Sequence, residues 1–332
     1  MSKKIGIPSA LVNNYYRSYW RTFFTEIGME VVESGKTTKA IVNKGVRYAV
    51  PEICVPIKIY MGHVIELMGR GVDYIYVPRL VALRDRETFC PKFLGLPDML
   101  KFTIPELEQK LLTHDIETQD EDIGTSKNYL ELGRRLCVED KVIKTAVKAA
   151  SAKWYEFRKE CLKGYDCNQA NSIVLNNKKI EINKVYPVKL GVIGYVYNVY
   201  DNYISMDVLD RLESLGVGYE TFEMLGYKKR DKQMKRFRKP LFWTFSNKLL
   251  SAGYHFFEDP GIAGVIHVTA FACGPDSFLG KMLELDSEKY KKPFMTIRVD
   301  EHTGENHLQT RVEAFVDMIL RKKNENNIPV HG

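Results

Sequence analysis

The chain has 332 residues, of which 45% are hydrophobic and 27% charged, and its formal net charge is +7. This length suffices for two domains with cores of their own, and the composition excludes disordered and collagen-like classes. No apolar stretch approaches the ~20 residues that cross a bilayer. The start, "MSKKIGIPSAL", lacks a signal-peptide pattern, so we expect a cytoplasmic protein, without membrane association, whose six cysteines stay reduced.

The first third of the chain alternates between strand and helix patterns. Strands are predicted at "KKIGIP", at "MEVVES" and at "VDYIYVPRL", the last ending at Pro78. Helices are predicted at residues 11–27, at 38–49 and from Pro56 to about Met68. This β-α-β-α-β order indicates a parallel sheet covered by helices.

The middle of the chain differs from the two ends. Residues 104–163 lack strand signals and carry charges at helical spacing, which predicts a helical insert. Strands then return at "VKLGVIGYVYN", "GYETFEM", "AGVIHVTAF" and "KPFMTIRVD", with helices at 205–215, 276–285 and 305–321. We therefore predict an α/β fold of two Rossmann-like lobes, each a doubly wound and mostly parallel sheet. The predicted boundaries are 1–103 for the first lobe, 104–186 for the helical insert and 187–332 for the second lobe.

Three of the six cysteines share a local context in which proline follows within two residues. They are Cys54 in "PEICVPIK", Cys90 in "TFCPKFLG" and Cys273 in "FACGPDS". Proline favours a turn or the first position of a helix, so each cysteine is predicted at or just before a helix N-terminus. The helix dipole and free N–H groups there favour the thiolate, which is the form that binds metals. Because ligands collect at the carboxyl ends of strands in doubly wound sheets, we expect these cysteines to meet in the cleft between the lobes.

The residues alone leave three roles open for these cysteines: apolar filler, nucleophile or metal ligand. The spacings between them, 36 and 183 residues, match no local zinc or ferredoxin pattern. A zinc site would need a fourth ligand, for which His302 and His267 are the candidates. The alternative to a redox protein is thus a non-redox α/β scaffold or assembly subunit whose cysteines bind zinc or no metal.

Several segments in order resemble the acyl-CoA dehydratase activase-related proteins, a family related to 2-hydroxyacyl-CoA dehydratase and benzoyl-CoA reductase subunits and to double-cubane cluster proteins. Those segments include "IGIPSALVNNYYRSYWRTFFTEIGMEVV", "PEICVPIKIYMGHV", "CPKFLGLPDM", "FACGPDSF" and "DEHTGENHLQTRVEAFVDM". The resemblance implies that Cys54, Cys90 and Cys273 hold an iron–sulfur cluster in the cleft, either 4Fe-4S or half of a double-cubane 8Fe-9S cluster.

The same resemblance implies partners and a reaction class. The electron donor would be an ATP-hydrolysing iron–sulfur activase, and the assembly would include a second homologous subunit or a second copy of this chain. The protein would then be a component of an ATP-driven low-potential reductase or of a 2-hydroxyacyl-CoA dehydratase-like system, working as a reductase or a lyase.

The polar segment "VDEHTGEN" at 299–306 follows the last predicted strand. Its strand-end position directs Glu301 and His302 toward the same cleft, which makes them the candidates for proton transfer. The alternative is that Thr303 caps the final helix, with acids in the first turn to complement the helix dipole.

Other polar residues near the cysteines have structural alternatives. Arg79 either holds an anion or an anionic cluster or forms a salt bridge across strand ends, and the salt bridge is the commoner case. Glu52 and His63 flank Cys54, and His63 is expected to be a hydrogen-bonded helix residue.

The remaining cysteines and one basic run complete the candidates. Cys137, Cys161 and Cys167 lie in the predicted insert without a proline context and are predicted to be structural. Residues 228–239, "KKRDKQMKRFRK", place eight cations against one acid. Such a run is usually a solvated face, and docking of an acidic partner is the second interpretation. Its single aromatic residue, Phe237, does not favour nucleic-acid binding.

Overall fold

The computed structural model describes residues 2–84, 87–181, 185–302 and 305–326. In chain order, its strands are β1 (Lys4–Ile7), β2 (Glu30–Glu33), β3 (Tyr74–Tyr76), β4 (Arg79–Arg84), β5 (Glu87–Thr88), β6 (Leu111–Leu112), β7 (Asp115–Glu117), β8 (Val188–Ile193), β9 (Val217–Glu220), β10 (Gly264–Ala270) and β11 (Phe294–Val299).

The helices fall between and after these strands. They are α1 (Asn13–Glu26), α2 (Lys39–Val46), α3 (Val55–Met68), α4 (Pro91–Leu94), α5 (Leu96–Thr103), α6 (Ser126–Arg135), α7 (Asp140–Leu162), α8 (Cys167–Asn176), α9 (Val196–Val199), α10 (Asn202–Ser205), α11 (Val208–Ser214), α12 (Tyr227–Met234), α13 (Thr244–Glu258), α14 (Gly274–Lys289) and α15 (Glu305–Asn326). Within the residues that the structure describes, none of these helices has the length and apolar character needed to cross a membrane.

Two parallel four-stranded sheets, one in each half of the chain, organise the fold. Their strand orders are β2-β1-β3-β6 and β11-β10-β8-β9, and every pairing within them is parallel. Helices pack against both sheets. This confirms the predicted mixed α/β class with parallel sheets flanked by helices. In the first sheet β2 and then β3 are added on opposite sides of β1, and in the second sheet β9 and then β10 are added on opposite sides of β8. Ligands collect at the carboxyl ends of the strands at such a switch point.

A smaller sheet, of order β5-β4-β7, connects the two halves. Strand β4 pairs in parallel with β7 and antiparallel with β5. The Thr88 N–H donates to the Phe242 carbonyl oxygen at 2.8 Å, and the Thr244 hydroxyl donates to the Glu87 carbonyl oxygen at 3.0 Å. These bonds fix the segment just before Cys90 to the second half of the chain.

Two predicted strands are shorter than the sequence pattern indicates. Strand β3 ends at Tyr76, and Arg79 begins β4 in a different sheet. Pro78 separates them because proline has no N–H with which to continue the pairing. The apolar run after β8 likewise leaves the sheet, and Val196 begins the short helix α9.

The segment predicted as a helical insert contains α6, α7 and α8, but it also contains strands. Strand β6 pairs with β3, and β7 pairs with β4, so this segment completes sheets of the first half. Strands of two or three residues are too short to show the alternation by which strands are recognised. The boundaries of the two lobes and the insert stay predictions.

Two helical regions differ from the sequence prediction. Helix α13 has no predicted counterpart, because thirteen of its fifteen residues are buried and it lacks the polar face that reveals a surface helix. The helix predicted at 205–215 is divided into α10 and α11 by Met206 and Asp207, which both have positive φ.

An aromatic core joins the helices of all three segments. Helix α1 buries Tyr15, Tyr16, Tyr19 and Phe23 completely. The ring centroid of Tyr15 lies 5.8 Å from that of Phe157 on α7 and 5.7 Å from that of Phe245 on α13. One contiguous core therefore runs through both halves of the chain.

Candidate functional site

One pocket of about 120 Å³ is lined by all three proline-associated cysteines. Cys54 is the N-cap residue of α3, Cys90 that of α4 and Cys273 that of α14, and each helix has proline in its first two positions. The predicted placement at helix N-termini is thus confirmed. Residues far apart in the sequence meet because three separate helices begin at this pocket. We call it the cysteine pocket.

The walls of the cysteine pocket are mostly apolar and come from both halves of the chain. Leu11 follows β1, Phe93 lies in α4, and Tyr197 lies in α9 directly after β8. Cys273 itself follows β10. The pocket therefore lies beyond the carboxyl ends of central strands of both parallel sheets, where open α/β folds bind ligands.

Amide groups of the three first helical turns face the sulfur atoms. The N–H groups of Ile57, Phe93 and Asp276 lower the thiol pKa values of Cys54, Cys90 and Cys273 respectively. None of the sulfurs forms a standard N-cap hydrogen bond, so these amides act mainly through their dipoles. The N–H groups of Ile57 and Phe93 also donate to the carbonyl oxygens of Cys54 and Cys90, at 3.0 and 2.9 Å.

Burial nevertheless raises the pKa of all three thiols. At Cys54 burial outweighs the Lys92 ammonium, and the pKa of Cys273 rises well above its usual range because of burial and the Asp276 carboxylate. The expectation that helix starts make these residues thiolates is therefore wrong for the protein alone. A coordinated metal ion deprotonates a thiol outright, whereas a neutral buried thiol is a poor nucleophile.

The geometry also bears on which metal the pocket suits. Within the described ranges, no group of three His, Cys, Asp or Glu side chains is placed to hold a metal ion. Of the two histidines considered as a fourth zinc ligand, His302 is exposed and outside the pocket lining. The other, His267, is buried with its Nε2 atom 2.9 Å from Asp276 Oδ1. This geometry does not favour zinc.

A buried polar network supports the helix that begins after Cys273. Asp276 is completely buried, with its Oδ1 atom 2.9 Å from His267 Nε2 and its Oδ2 atom 3.2 Å from the Asn198 Nδ2 atom that donates to it. These contacts tie the first turn of α14 to β10 and α9. The network joins residues that are distant in the sequence, and its one local signal is an acid three residues after Cys273.

Glu301, a predicted proton-transfer residue, lies outside the lining of the cysteine pocket. Its carboxylate forms a short ion pair with the Lys58 ammonium, which also donates to the Pro51 carbonyl oxygen at 2.9 Å. Burial is the largest single influence and opposes ionisation of Glu301, but the hydrogen bond and charge of Lys58, together with a backbone N–H group, outweigh it and lower the pKa of Glu301. Because Lys58 lies on α3 four residues after Cys54, the pair braces the helix that begins at the pocket.

The second predicted proton-transfer residue, His302, is exposed, and its backbone N–H donates to Asp300 Oδ1 at 2.8 Å. The proton-transfer role of Glu301 and His302 stays a prediction. Thr303, the alternative cap of the last helix, lies outside the described residues.

Two nearby polar residues have structural roles, as the sequence favoured. Arg79 forms salt bridges with Asp98 at 2.8 Å and Asp115 at 3.1 Å. His63 is buried between the hydroxyl groups of Ser34, 2.7 Å from its Nδ1, and Thr37, 2.9 Å from its Nε2. Burial lowers the pKa of His63 to about 4, so the ring is neutral.

The three insert cysteines lie elsewhere in the molecule. Cys161 and Cys167 are completely buried in the core, and a contact between their thiols joins α7 to α8. Cys137 is exposed. None of them lines the cysteine pocket.

Comparison with known families gives a match over well over half of the chain. A family model described as "CoA enzyme activase uncharacterised domain" matches residues 4–225. The matched region contains Cys54 and Cys90 and ends before Cys273. No curated protein matches the chain.

Proposed function

Because the chain belongs to the CoA enzyme activase uncharacterised-domain family, we propose that it is an iron–sulfur protein of an ATP-driven low-potential reductase or 2-hydroxyacyl-CoA dehydratase-like system. The observation that carries this proposal is the pocket shared by Cys54, Cys90 and Cys273, each at the start of a different helix. In this proposal the two parallel sheets form Rossmann-like lobes, and the pocket is the cleft between them.

The cysteine pocket has the type of side chain that an iron–sulfur cluster needs. Three thiols share its lining, and thiolates are the protein ligands of such clusters. When bound, a 4Fe-4S cluster or half of a double-cubane cluster supplies single low-potential electrons, and three protein ligands leave one iron open.

The surrounding residues have definite tasks in this proposal. Leu11, Phe93 and Tyr197 give the pocket an apolar wall, which lowers the local dielectric constant and strengthens electrostatic interactions next to it. The Lys92 ammonium and the first-turn amides favour added negative charge next to the cysteines. Glu301 and His302 are the candidates for proton delivery, and Lys58 connects Glu301 to the helix that begins at Cys54.

The partner we propose is an ATP-hydrolysing iron–sulfur activase that donates the electron. The family description supports an association with CoA-enzyme activation. A dehydratase-like component, either a homologous subunit or a second copy of this chain, completes the proposed assembly. A cytoplasmic location would suit a protein that keeps six reduced cysteines.

Visible and electron paramagnetic resonance spectra of protein prepared without oxygen test this proposal. We expect broad visible absorption that a strong reductant bleaches, with a paramagnetic signal that appears on one-electron reduction. A folded but colourless protein with one zinc per chain would contradict the proposal and support the non-redox scaffold alternative. Circular dichroism of the same sample shows whether the protein is folded.

A further inference from the structure

A second cavity, of about 290 Å³, lies between the end of β4 and helices α12 and α13. Its lining includes Arg84, Glu121, Arg230 and Lys248 and none of the three pocket cysteines. Part of it is formed by the basic run at 228–239, for which sequence analysis left the role open. We call it the cationic cavity.

One buried carboxylate, that of Glu121, interacts with several cations at this cavity. Glu121 accepts from Arg230 Nη1 at 2.9 Å and from the Tyr15 hydroxyl at 2.9 Å, and its Oε2 atom lies 3.5 Å from Lys248 Nζ. The guanidinium of Arg158 also acts on Glu121, from a position over the Tyr15 ring. Three buried cations thus share a single carboxylate.

Other acids near the cavity do not remove this excess of positive charge. The lining carries four cations against three acids, and one of these acids, Asp231, is paired with Lys235 at 3.3 Å. Glu223 faces Arg158, but burial raises the pKa of Glu223. Glu121 is therefore the carboxylate that Arg230 and Lys248 share at the cavity, and Lys248 Nζ also lies over the Tyr15 and Phe245 rings, 5.0 and 4.7 Å from their centroids.

Two of the cationic side chains are also incompletely hydrogen-bonded. Within the described part of the chain, neither Lys248 Nζ nor Arg230 Nε has a hydrogen-bond partner, although both side chains are more than nine-tenths buried. Burying an incompletely paired charge is costly, and an anion in the adjacent cavity removes that cost. Several elements form the site, because residues from β4, β5, α12 and α13 line the cavity.

We propose that the cationic cavity binds a phosphate group, and that Arg230 and Lys248 are its main ligands with Arg84 at the rim. A guanidinium fork beside a lysine point charge is the pairing that suits a multiply charged oxyanion. The proposal does not depend on a cluster in the cysteine pocket, since the two linings share no residue.

The protonation of Lys248 is consistent with this proposal. Burial lowers its pKa to about 8; Glu121 opposes the shift, and Arg230, Arg158 and Arg84 add to it. A bound anion favours the charged ammonium and raises this pKa again. Phosphate binding at pH 8 should therefore be accompanied by proton uptake at Lys248.

Isothermal titration calorimetry with inorganic phosphate, in a phosphate-free buffer of low ionic strength, tests the proposal. We expect saturable binding at one site per chain. Lys248→Met and Arg230→Met should each weaken it by ~10-fold or more, because each loses a charge-assisted hydrogen bond. Arg84→Gln, on a less buried side chain, should weaken it by about threefold. Lys232→Gln, an exposed lysine on α12 outside the cavity lining, is the matched control and should change binding by less than about twofold.

Thermal unfolding provides a second, independent measurement. Without phosphate, Lys248→Met should raise the midpoint temperature, because it relieves repulsion among buried cations, and phosphate should then no longer stabilise the variant. Ribose 5-phosphate binding more tightly than inorganic phosphate would indicate that the group belongs to a larger ligand.

Three results would overturn the proposal. They are no saturable binding up to ~10 mM phosphate, equal weakening in Lys232→Gln and Lys248→Met, and a Lys248→Met protein that is less stable without phosphate yet still stabilised by it. The last would make Lys248 only a structural partner of Glu121.

Discussion

The two groups of cysteines differ less in burial than in position. Cys161 and Cys167 are more deeply buried than Cys54, and burial raises the thiol pKa of Cys54 and of Cys167 alike. What separates the groups is the pocket. Cys54 and its two counterparts cap helices that begin at one pocket, whereas Cys161 lies inside the last turn of α7 and Cys167 begins α8 away from that pocket. Neither burial nor a helix start alone therefore indicates the role of a cysteine, and a lining shared with other cysteines says more.

The largest expected effect follows from removing a thiol from the cysteine pocket. Cys54→Ser, Cys90→Ser and Cys273→Ser should each lose most of the bound iron, because serine is a poor substitute for a thiolate ligand. Iron per chain after anaerobic reconstitution measures this effect. Equal iron loss in Cys161→Ser or Cys167→Ser would erase the distinction between the two groups.

The next effect is on stability and belongs to the insert group. Cys161→Ser and Cys167→Ser should each lower the free energy of unfolding by about 1–3 kcal/mol, since a hydroxyl replaces a thiol in the apolar core. Urea unfolding measures the loss, and iron content should stay at the wild-type level. If either variant is as stable as the wild type but binds no iron, the structural assignment is wrong.

A smaller effect sharpens the account of the cysteine pocket itself. Lys92→Gln should keep the iron but lower the midpoint reduction potential by roughly 60 mV, since a nearby cation stabilises the reduced and more negative state. Protein-film voltammetry measures the shift. Lys101→Gln, on α5 outside the pocket, is the matched control and should leave the potential unchanged. A shift to higher potential in Lys92→Gln would contradict the assigned role.

The smallest effect is expected at Cys137, which is exposed and lies outside the lining of the cysteine pocket. Cys137→Ser should change the free energy of unfolding by less than about 0.5 kcal/mol, because the replacement alters only a surface group. Its iron content should match the wild type. A large loss of iron in this variant would place a ligand where the structure shows a surface residue.

The sequence predicted the structural features that short segments determine by themselves. Proline after Cys54, Cys90 and Cys273 identified three helix starts, and the apolar runs identified most strands. It failed where distant residues decide the outcome. Burial against side chains from other segments makes the cysteines neutral thiols, and Lys58 pairs with Glu301 across 243 positions. The sequence did not predict helix α13, because most of its residues are buried and it lacks a polar face.

The measurement that tests the central claim most directly is the content of iron and acid-labile sulfide in wild-type protein prepared without oxygen. The account predicts about four irons and four sulfides per chain, or about eight irons per cluster when two chains share a double cubane. In either case we propose the three cysteines of the pocket as the ligands. A folded protein that binds one zinc per chain, or that takes up neither iron nor sulfide on reconstitution, would contradict it.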